Sequence, residues 1–283
     1  MKVMVTGSKG QLGFDLARTI MESHETFALD RQQLDVSDAG AVMAKVQEIS
    51  PDVIIHAAAY TKVDEAEQEP IMAFRTNSIG SRNIAIAAAV CGAKLVYIST
   101  DYVFDGKKGE PYCESDRPNP INVYGISKYA GELFVQSLHN RVFIVRTSWL
   151  YGGNHINHMN HFVRKIVLAA EHSQRIEVVM DEVGSPTYTL DLALFISCLM
   201  TTEQYGIYHA SNQGSCSRYE FAIAILQEAG LDGVTVHPIT TDQYRLPALR
   251  PKYSILDHQA IRSHGLVDLP SWRDALNRYM KGW

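Results

Sequence analysis

The sequence predicts an α/β protein: a doubly wound parallel sheet with a smaller lobe formed mainly by the C-terminal half of the chain. Three observations predict it. Short apolar runs recur through the first 150 of the 283 residues, separated by stretches of helical periodicity. The first of these runs enters a glycine-rich turn and then a helical pattern. After Trp149-Leu150-Tyr151-Gly152-Gly153 the regular alternation loosens.

Taken in order, Val3-Met4-Val5 leads into Gly7-Ser8-Lys9-Gly10-Gln11-Leu12-Gly13, after which Leu12, Leu16 and Ile20 keep a helical spacing. Glycines permit a tight turn and let amide groups at a helix N-terminus approach a pyrophosphate. The spacing is Gly-x-x-Gly-x-x-Gly, not the commoner Gly-x-Gly-x-x-Gly, and glycine turns also join strands to helices where nothing binds. A second strand over 26–29 ends in Asp30-Arg31. An acid there can bind the adenosine ribose hydroxyls and an arginine can accept a 2′-phosphate, so NAD and NADP both stay open. Asp35 and Val36 are placed to line an adenine, although Asp35 could equally be a simple turn residue. Ser37 or Asp38 caps a helix over Ala39–Ile49. The third strand, ending at His56, runs into Ala57-Ala58-Ala59-Tyr60, where small side chains leave room for a flat ligand or for close packing. A helix over 70–91 carries Asn77 and bends or divides near Gly80.

The fourth strand, Leu95-Val96-Tyr97-Ile98, delivers Ser99 and Thr100 to the carboxyl edge of the sheet, where a hydroxyl could hydrogen-bond a substrate oxygen. Residues 105–122, with Gly106, Gly109, Pro111, Pro118 and Pro120, form a loop that shapes a pocket. In the helix Val123–Leu138 that follows, Tyr124 and Lys128 are four apart and share a face. An ammonium beside a phenol favours the phenolate, so Lys128 is expected to lower the Tyr124 pKa. Hydroxyl, tyrosine and lysine are what reversible hydride transfer to a carbonyl needs: one group polarises the oxygen, one moves the proton and one tunes the second. The same pair also occurs on ordinary solvated helices. Val142-Phe143-Ile144-Val145-Arg146 is the fifth strand. Helices over 159–171, 188–200 and 217–229 and a strand over 176–180 then build the smaller lobe, interleaved with returns to the sheet.

Composition narrows the function. With 46% hydrophobic and 20% charged residues the chain reads as a soluble globular protein. A net charge of −5 without a Lys/Arg run argues against a nucleic-acid surface, so the expected partner is small. The apolar run at the start is too short for a signal peptide, and the longest run, 84–93, falls well short of the ~20 residues of a membrane span. Cys91, Cys113, Cys198 and Cys216 form no Cys-x-x-Cys pair, which fits a reducing cytoplasm.

Several longer motifs carry a family resemblance. His56-Ala57-Ala58-Ala59-Tyr60-Thr61-Lys62-Val63-Asp64, Ser99-Thr100-Asp101-Tyr102-Val103-Phe104-Asp105-Gly106, Tyr124-Gly125-x-Ser127-Lys128-x-x-Gly131-Glu132, Arg146-Thr147-Ser148-Trp149-Leu150-Tyr151-Gly152 and Pro247-Ala248-Leu249-Arg250-Pro251 span nearly the whole chain. With the glycine turn they resemble the extended short-chain dehydrogenase/reductases and, more closely, the dTDP-4-dehydrorhamnose reductases. The resemblance implies a Rossmann-type domain over residues 1–150 and a nucleotide-sugar lobe over 151–283, with about 175–205 returning to the first domain. It implies reduction of a 4-keto group on a dTDP-linked 6-deoxy sugar, with NADP(H) or NAD(H) as cofactor, by a monomer or homodimer.

Carried over by motif, Tyr124 is the proton donor, Lys128 its electrostatic partner and Thr100 the hydroxyl that positions the keto oxygen, with Asp101 beside it. Val63, Asp64, Tyr102 and Trp149 join Thr100 and Asp101 on the sugar, and Asn160, His161 and Arg250 serve the dTDP half. Gly7, Gly10, Gln11, Leu12, Gly13, Asp30, Arg31, Ala57, Ala58, Ala59 and Lys128 hold the cofactor, together with Asp35, Val36, Tyr60, Asn77, Ser99 and Tyr124. Some relatives bind magnesium at a dimer contact. Here Asp15 stands in the first helix but Gly184-Ser185-Pro186-Thr187-Tyr188-Thr189-Leu190 offers no acid before Asp191, so no metal is expected. His155-x-x-His158-x-x-His161 spreads its rings around a helix and does not make a zinc set. Two other classes are weighed. Nucleotide-sugar 4,6-dehydratases of this fold use an Asp-Glu pair after the threonine, whereas here Tyr102 follows Asp101. Non-catalytic relatives, such as the regulatory subunit of methionine adenosyltransferase, are not held to the proton donor that this chain keeps.

Overall fold

The computed structural model describes residues 1–153 and 161–282. Its central sheet holds six parallel strands: β1 (Lys2–Thr6), β2 (Glu25–Leu29), β3 (Val53–His56), β4 (Lys94–Thr100), β5 (Val142–Thr147) and the later strand Gly206–His209. Their order across the sheet is Gly206–His209, β5, β4, β3, β1, β2. Every residue of β3, β4 and β5 is buried, as near-continuous apolar strands must be when helices cover both faces. On one face Leu12, Leu16 and Ile20 of the helix Gln11–Met21 meet Leu192, Ile196 and Leu199 of the helix Thr189–Leu199 over Val3, Val5, Val96 and Val145. On the other, helices Ala39–Ile49, Ser81–Cys91 and Val123–Leu138 pack over Met4, Ile54, Leu95 and Ile144. The chain leaves β1 towards β2 on one side and β3 on the other, so the sheet reverses between β1 and β3 and opens a crevice at their carboxyl ends.

The helix expected over 70–91 is three pieces: Pro70–Phe74, a π turn Arg75–Gly80, and Ser81–Cys91. A short 3₁₀ turn, Asp101–Val103, follows β4 and is capped by the Thr100 hydroxyl, which accepts from the Tyr102 amide at 3.2 Å. The smaller lobe gathers Tyr151, Phe221, Trp272 and Tyr279 into its own core. Within the stretch 175–205, Arg175–Val179 stays in this lobe, paired with Thr235–Ile239. Its alternating exposure suits a strand with one solvated face. The return to the sheet is made instead by the apolar helix Thr189–Leu199 and by Gly206–His209, which pairs with β5. Among the described residues no helix is long and apolar enough to cross a membrane.

Candidate active site

A cavity of about 920 Å³ runs along the carboxyl ends of the strands, from the glycine turn to Trp149 and Arg250. Its first end is built from backbone. Gly7 has φ +74°, and a Cβ there would lie 2.7 Å from Ala58 Cα. A Cβ on Gly13 would lie 2.1 Å from the Gly7 carbonyl oxygen. Gly10 opens the helix Gln11–Met21 without a side-chain cap, so the amides of its first turn face the cavity, as a pyrophosphate-binding turn requires. Gln11, Leu12, Ala57, Ala58, Ala59, Tyr60, Val36 and Asp35 stand on the same wall. The residues present therefore fit a dinucleotide.

Asp30 is engaged within the protein. Its carboxylate pairs with Lys9 and accepts from the Gln32 and Gln33 amides at 2.8 and 3.0 Å, and these donors hold it below the usual carboxylate range. Arg31 is exposed at the rim. Asp35 is at once a turn residue and cavity wall, accepting from the Ser37 amide and hydroxyl at 2.9 and 2.7 Å. Asn77 is fully buried and stands behind the wall, not on it. Its amide clasps the Tyr60 backbone, accepting from N at 2.8 Å and donating to O at 3.1 Å, and donates to Ser127 Oγ at 2.9 Å. The π turn carries it there, and its side chain is spent on the Tyr60 backbone and Ser127, where the resemblance implies a direct cofactor contact.

At the centre, Thr100, Tyr124 and Lys128 meet. Helix Val123–Leu138 starts at Asn122, whose side chain accepts from the Gly125 amide at 2.7 Å, and Gly125 lies against the Tyr102 carbonyl, where a Cβ would come within 2.2 Å. That approach brings Tyr124 to the end of β4. Tyr124 is half-buried on the cavity wall, and desolvation raises its pKa well above the ordinary tyrosine value, with the Thr100 hydroxyl acting in the opposite direction. Lys128 does not act on it as expected: its ammonium donates to the Ile98 carbonyl at 2.6 Å and sits 4.2 Å from the centre of the Tyr97 ring. Burial draws the Lys128 pKa down to about 7, against the pull of Glu132. The Ser99 hydroxyl is turned away to Glu132, which also binds Arg146 through two bonds of 3.0 and 2.7 Å. Asp101 is 2% exposed; it accepts from Ser254 Oγ at 2.6 Å and Thr100 Oγ1 at 3.1 Å, and burial lifts its pKa to about 6.

The far end is built from side chains. Asp64 and Arg250 both line it, but each is the other's partner, through bonds of 3.1 and 2.7 Å. Arg250 is thus tied to a carboxylate where the resemblance implied a ligand of the dTDP half. Val63 stands beside them, and Tyr102 packs edge-on to Tyr124 at 5.7 Å. Trp149 takes a left-handed φ of +47°, with Gly184 against its indole and the Arg218 guanidinium 3.5 Å from its ring centre. Arg218 also pairs with Glu182 at 3.6 Å. Arg218, Glu182 and Lys165 line the cavity and were not singled out in the sequence. The available signal was Ser217-Arg218-Tyr219-Glu220, a capping box that fixes Arg218 as the first residue of its helix.

His161 lines the cavity and caps the helix Phe162–His172, its Nδ1 accepting from the Arg164 amide at 3.3 Å. Asn160, His155 and His158 lie outside the described residues. Among the described residues no group of three His, Cys, Asp or Glu could hold a metal. Asp15 accepts from Thr189 and from the Gly153 amide at 3.1 Å, while Asp191 is bound by Arg278 and Asn212.

The comparisons with known proteins agree on one group. The RmlD substrate binding domain family matches residues 1–283. The spore coat polysaccharide biosynthesis protein SpsK of Bacillus subtilis (strain 168) is 41% identical over 281 residues, covering 99% of this chain and 97% of its own. A dTDP-4-dehydrorhamnose reductase of Streptomyces griseus is 40% identical over 280 residues, 96% of this chain and 91% of its own. A crystal structure of dTDP-4-dehydrorhamnose reductase from Bacillus anthracis str. Ames, in complex with NADP, superposes with a TM-score of 0.96 at 47% identity, covering 100% of this chain and 99% of that one.

Proposed function

The chain belongs to the RmlD substrate binding domain family, and on that premise we propose that it reduces the 4-keto group of dTDP-4-dehydro-L-rhamnose to give dTDP-L-rhamnose. It is an NAD(P)H-dependent oxidoreductase of the rhamnose route to cell-surface polysaccharide, working in a reducing cytoplasm as a monomer or homodimer. The observation that carries the reading is the meeting of Thr100, Tyr124 and Lys128 on one wall of a cavity whose end is a glycine turn open at a helix N-terminus.

NAD(P)H, when bound, supplies the hydride. The amides of the turn from Gly7 to Gly13 would hold its pyrophosphate, and Lys128 its ribose at the nicotinamide end. Tyr124, a phenol that carries its proton near neutral pH, would give it to the oxygen as negative charge develops. Thr100 stands beside that phenol and orients the oxygen. Lys128 serves less by acidifying Tyr124 than by holding its amine at a fixed place through the Ile98 carbonyl. Dehydration would need a carboxylate where Tyr102 stands, and that phenol, its pKa pushed to about 12 by burial, cannot act as a base near neutral pH.

The test follows NADPH and NADH absorbance while the purified protein is given dTDP-4-dehydro-L-rhamnose. Tyr124→Phe should turn over roughly 10²- to 10⁴-fold more slowly with cofactor binding kept. Normal turnover by Tyr124→Phe would remove Tyr124 from the role of proton donor.

A further inference from the structure

Thr147, the last residue of β5, is 4% exposed, and its hydroxyl has no hydrogen-bond partner among the described residues. Its surroundings make this unusual. On the preceding side Arg146 is bound to Glu132, and on the following side Ser148 Oγ donates to the Ser185 carbonyl at 2.6 Å. Directly across the ladder is Thr100, whose hydroxyl accepts from the Tyr102 amide and donates to Asp101. Buried hydroxyls are nearly always partnered, because burial without a partner forfeits the bonds that water supplied. A valine would have the same shape and avoid that loss. Thr147 also lines the cavity, on the face of the sheet that carries Val145, Ile98 and Thr100.

We infer that the Thr147 hydroxyl is a ligand-binding group, held without a protein partner so that it can hydrogen-bond a neutral oxygen- or amide-bearing group beside Thr100. The inference rests on the reductase reading above. Two sources supply that chemistry at this point: the carboxamide of the nicotinamide, or a hydroxyl of the hexose.

Thr147→Val separates this role from a structural one, since the two predict opposite changes in stability. The substitution removes a desolvated hydroxyl and breaks no bond, so Tm should rise by about 2 °C. Thr100→Val, which strips the Tyr102 amide of its acceptor, should lower Tm in parallel. Function should move the other way. Thr147→Val is expected to lose about five- to tenfold, the worth of one hydrogen bond, in NADPH affinity measured by fluorescence titration or in KM for dTDP-4-dehydro-L-rhamnose at saturating cofactor. Loss in the first assigns the carboxamide, and loss in the second assigns the sugar. Thr147→Ser, which keeps the hydroxyl, should recover the affinity. A Tm below that of the parent would overturn the inference, because it would reveal a structural partner. So would unchanged NADPH affinity together with unchanged KM. A parent protein that binds NADPH but leaves this sugar untouched would instead overturn the substrate reading, and the titration arm would still judge Thr147.

Discussion

At the glycine-turn end of the cavity the wall is main chain: Gly7 lies against Ala58, Gly13 against the Gly7 carbonyl, and helix amides face inward. At the other end the wall is charged side chains that satisfy one another, Asp64 with Arg250 and Glu182 with Arg218 over Trp149. Main-chain contacts are rigid, carry no titrating group of their own, and tolerate almost no added volume. A side-chain wall can be retuned one residue at a time, but each of its charges depends on a partner. If the proposed function holds, the first end would meet a cofactor shared by many reductases and the second a sugar that differs among them.

The largest expected effect comes from adding a single methyl to the main-chain wall. In Gly13→Ala the new carbon would meet backbone that no rotamer change can move, at a cost of about 3 kcal/mol or more. NADPH affinity should fall on the order of 100-fold, while dTDP, titrated by calorimetry, should bind as before. Equal loss of both ligands would mean that the two ends are not independent.

That contrast also explains what could be read from the sequence. The glycine-turn end is built from a few short segments whose requirement is for small residues, so Gly7, Gly10, Gly13 and Ala57 to Ala59 announce themselves by type and spacing. The strands and the Tyr124 helix were legible for a similar reason: their burial is written in local periodicity. The far end joins Asp64 to Arg250 across 186 positions, and nothing local in either segment states that they form a pair. Arg218 was invisible for the same reason, its meaning lying in Trp149 and Glu182. Pairing is also what local reading missed at Lys128, where the expected partner was Tyr124 and the observed one is the Ile98 carbonyl, and at Ser99, whose hydroxyl belongs to Glu132. Asn77, expected on the cofactor, stands one layer behind the cavity wall, because a π turn changes which side of a helix faces in.

Between the two ends, Asp101 should make stability respond to pH. Burial raises Asp101 to about 6 from 3.8, so the native state takes up this proton before the unfolded state does. Its contribution to stability is complete below pH 4 and is lost as pH rises through 6, a change on the order of 3 kcal/mol. Asp101→Asn cannot titrate. In urea unfolding, the stability of the parent minus that of Asp101→Asn should therefore rise as pH falls from 7 to 4, and a difference that stays flat or falls would contradict the buried-charge account.

A smaller effect is expected from Arg250→Ala, which leaves Asp64 half-buried without its bidentate partner, at about 1–2 kcal/mol. KM for the sugar nucleotide should rise roughly tenfold with NADPH affinity untouched. If Asp64→Asn on that background restored stability but not KM, the pair would be both a brace and a contact.

The π turn Arg75–Gly80 holds one residue more than an α-helix would need to cover the same path. Deleting a residue there would let the hydrogen-bonding ladder run unbroken from Pro70 to Cys91, and by any local measure the helix would be improved. Yet each residue removed turns everything beyond it by about 100°. Either Asn77 would swing off Tyr60 and Ser127, or Ile84, Ala87 and Ala88 would leave the sheet they cover. The irregularity acts as a gear between two faces that must both be kept in phase, one belonging to the core and the other to the cavity.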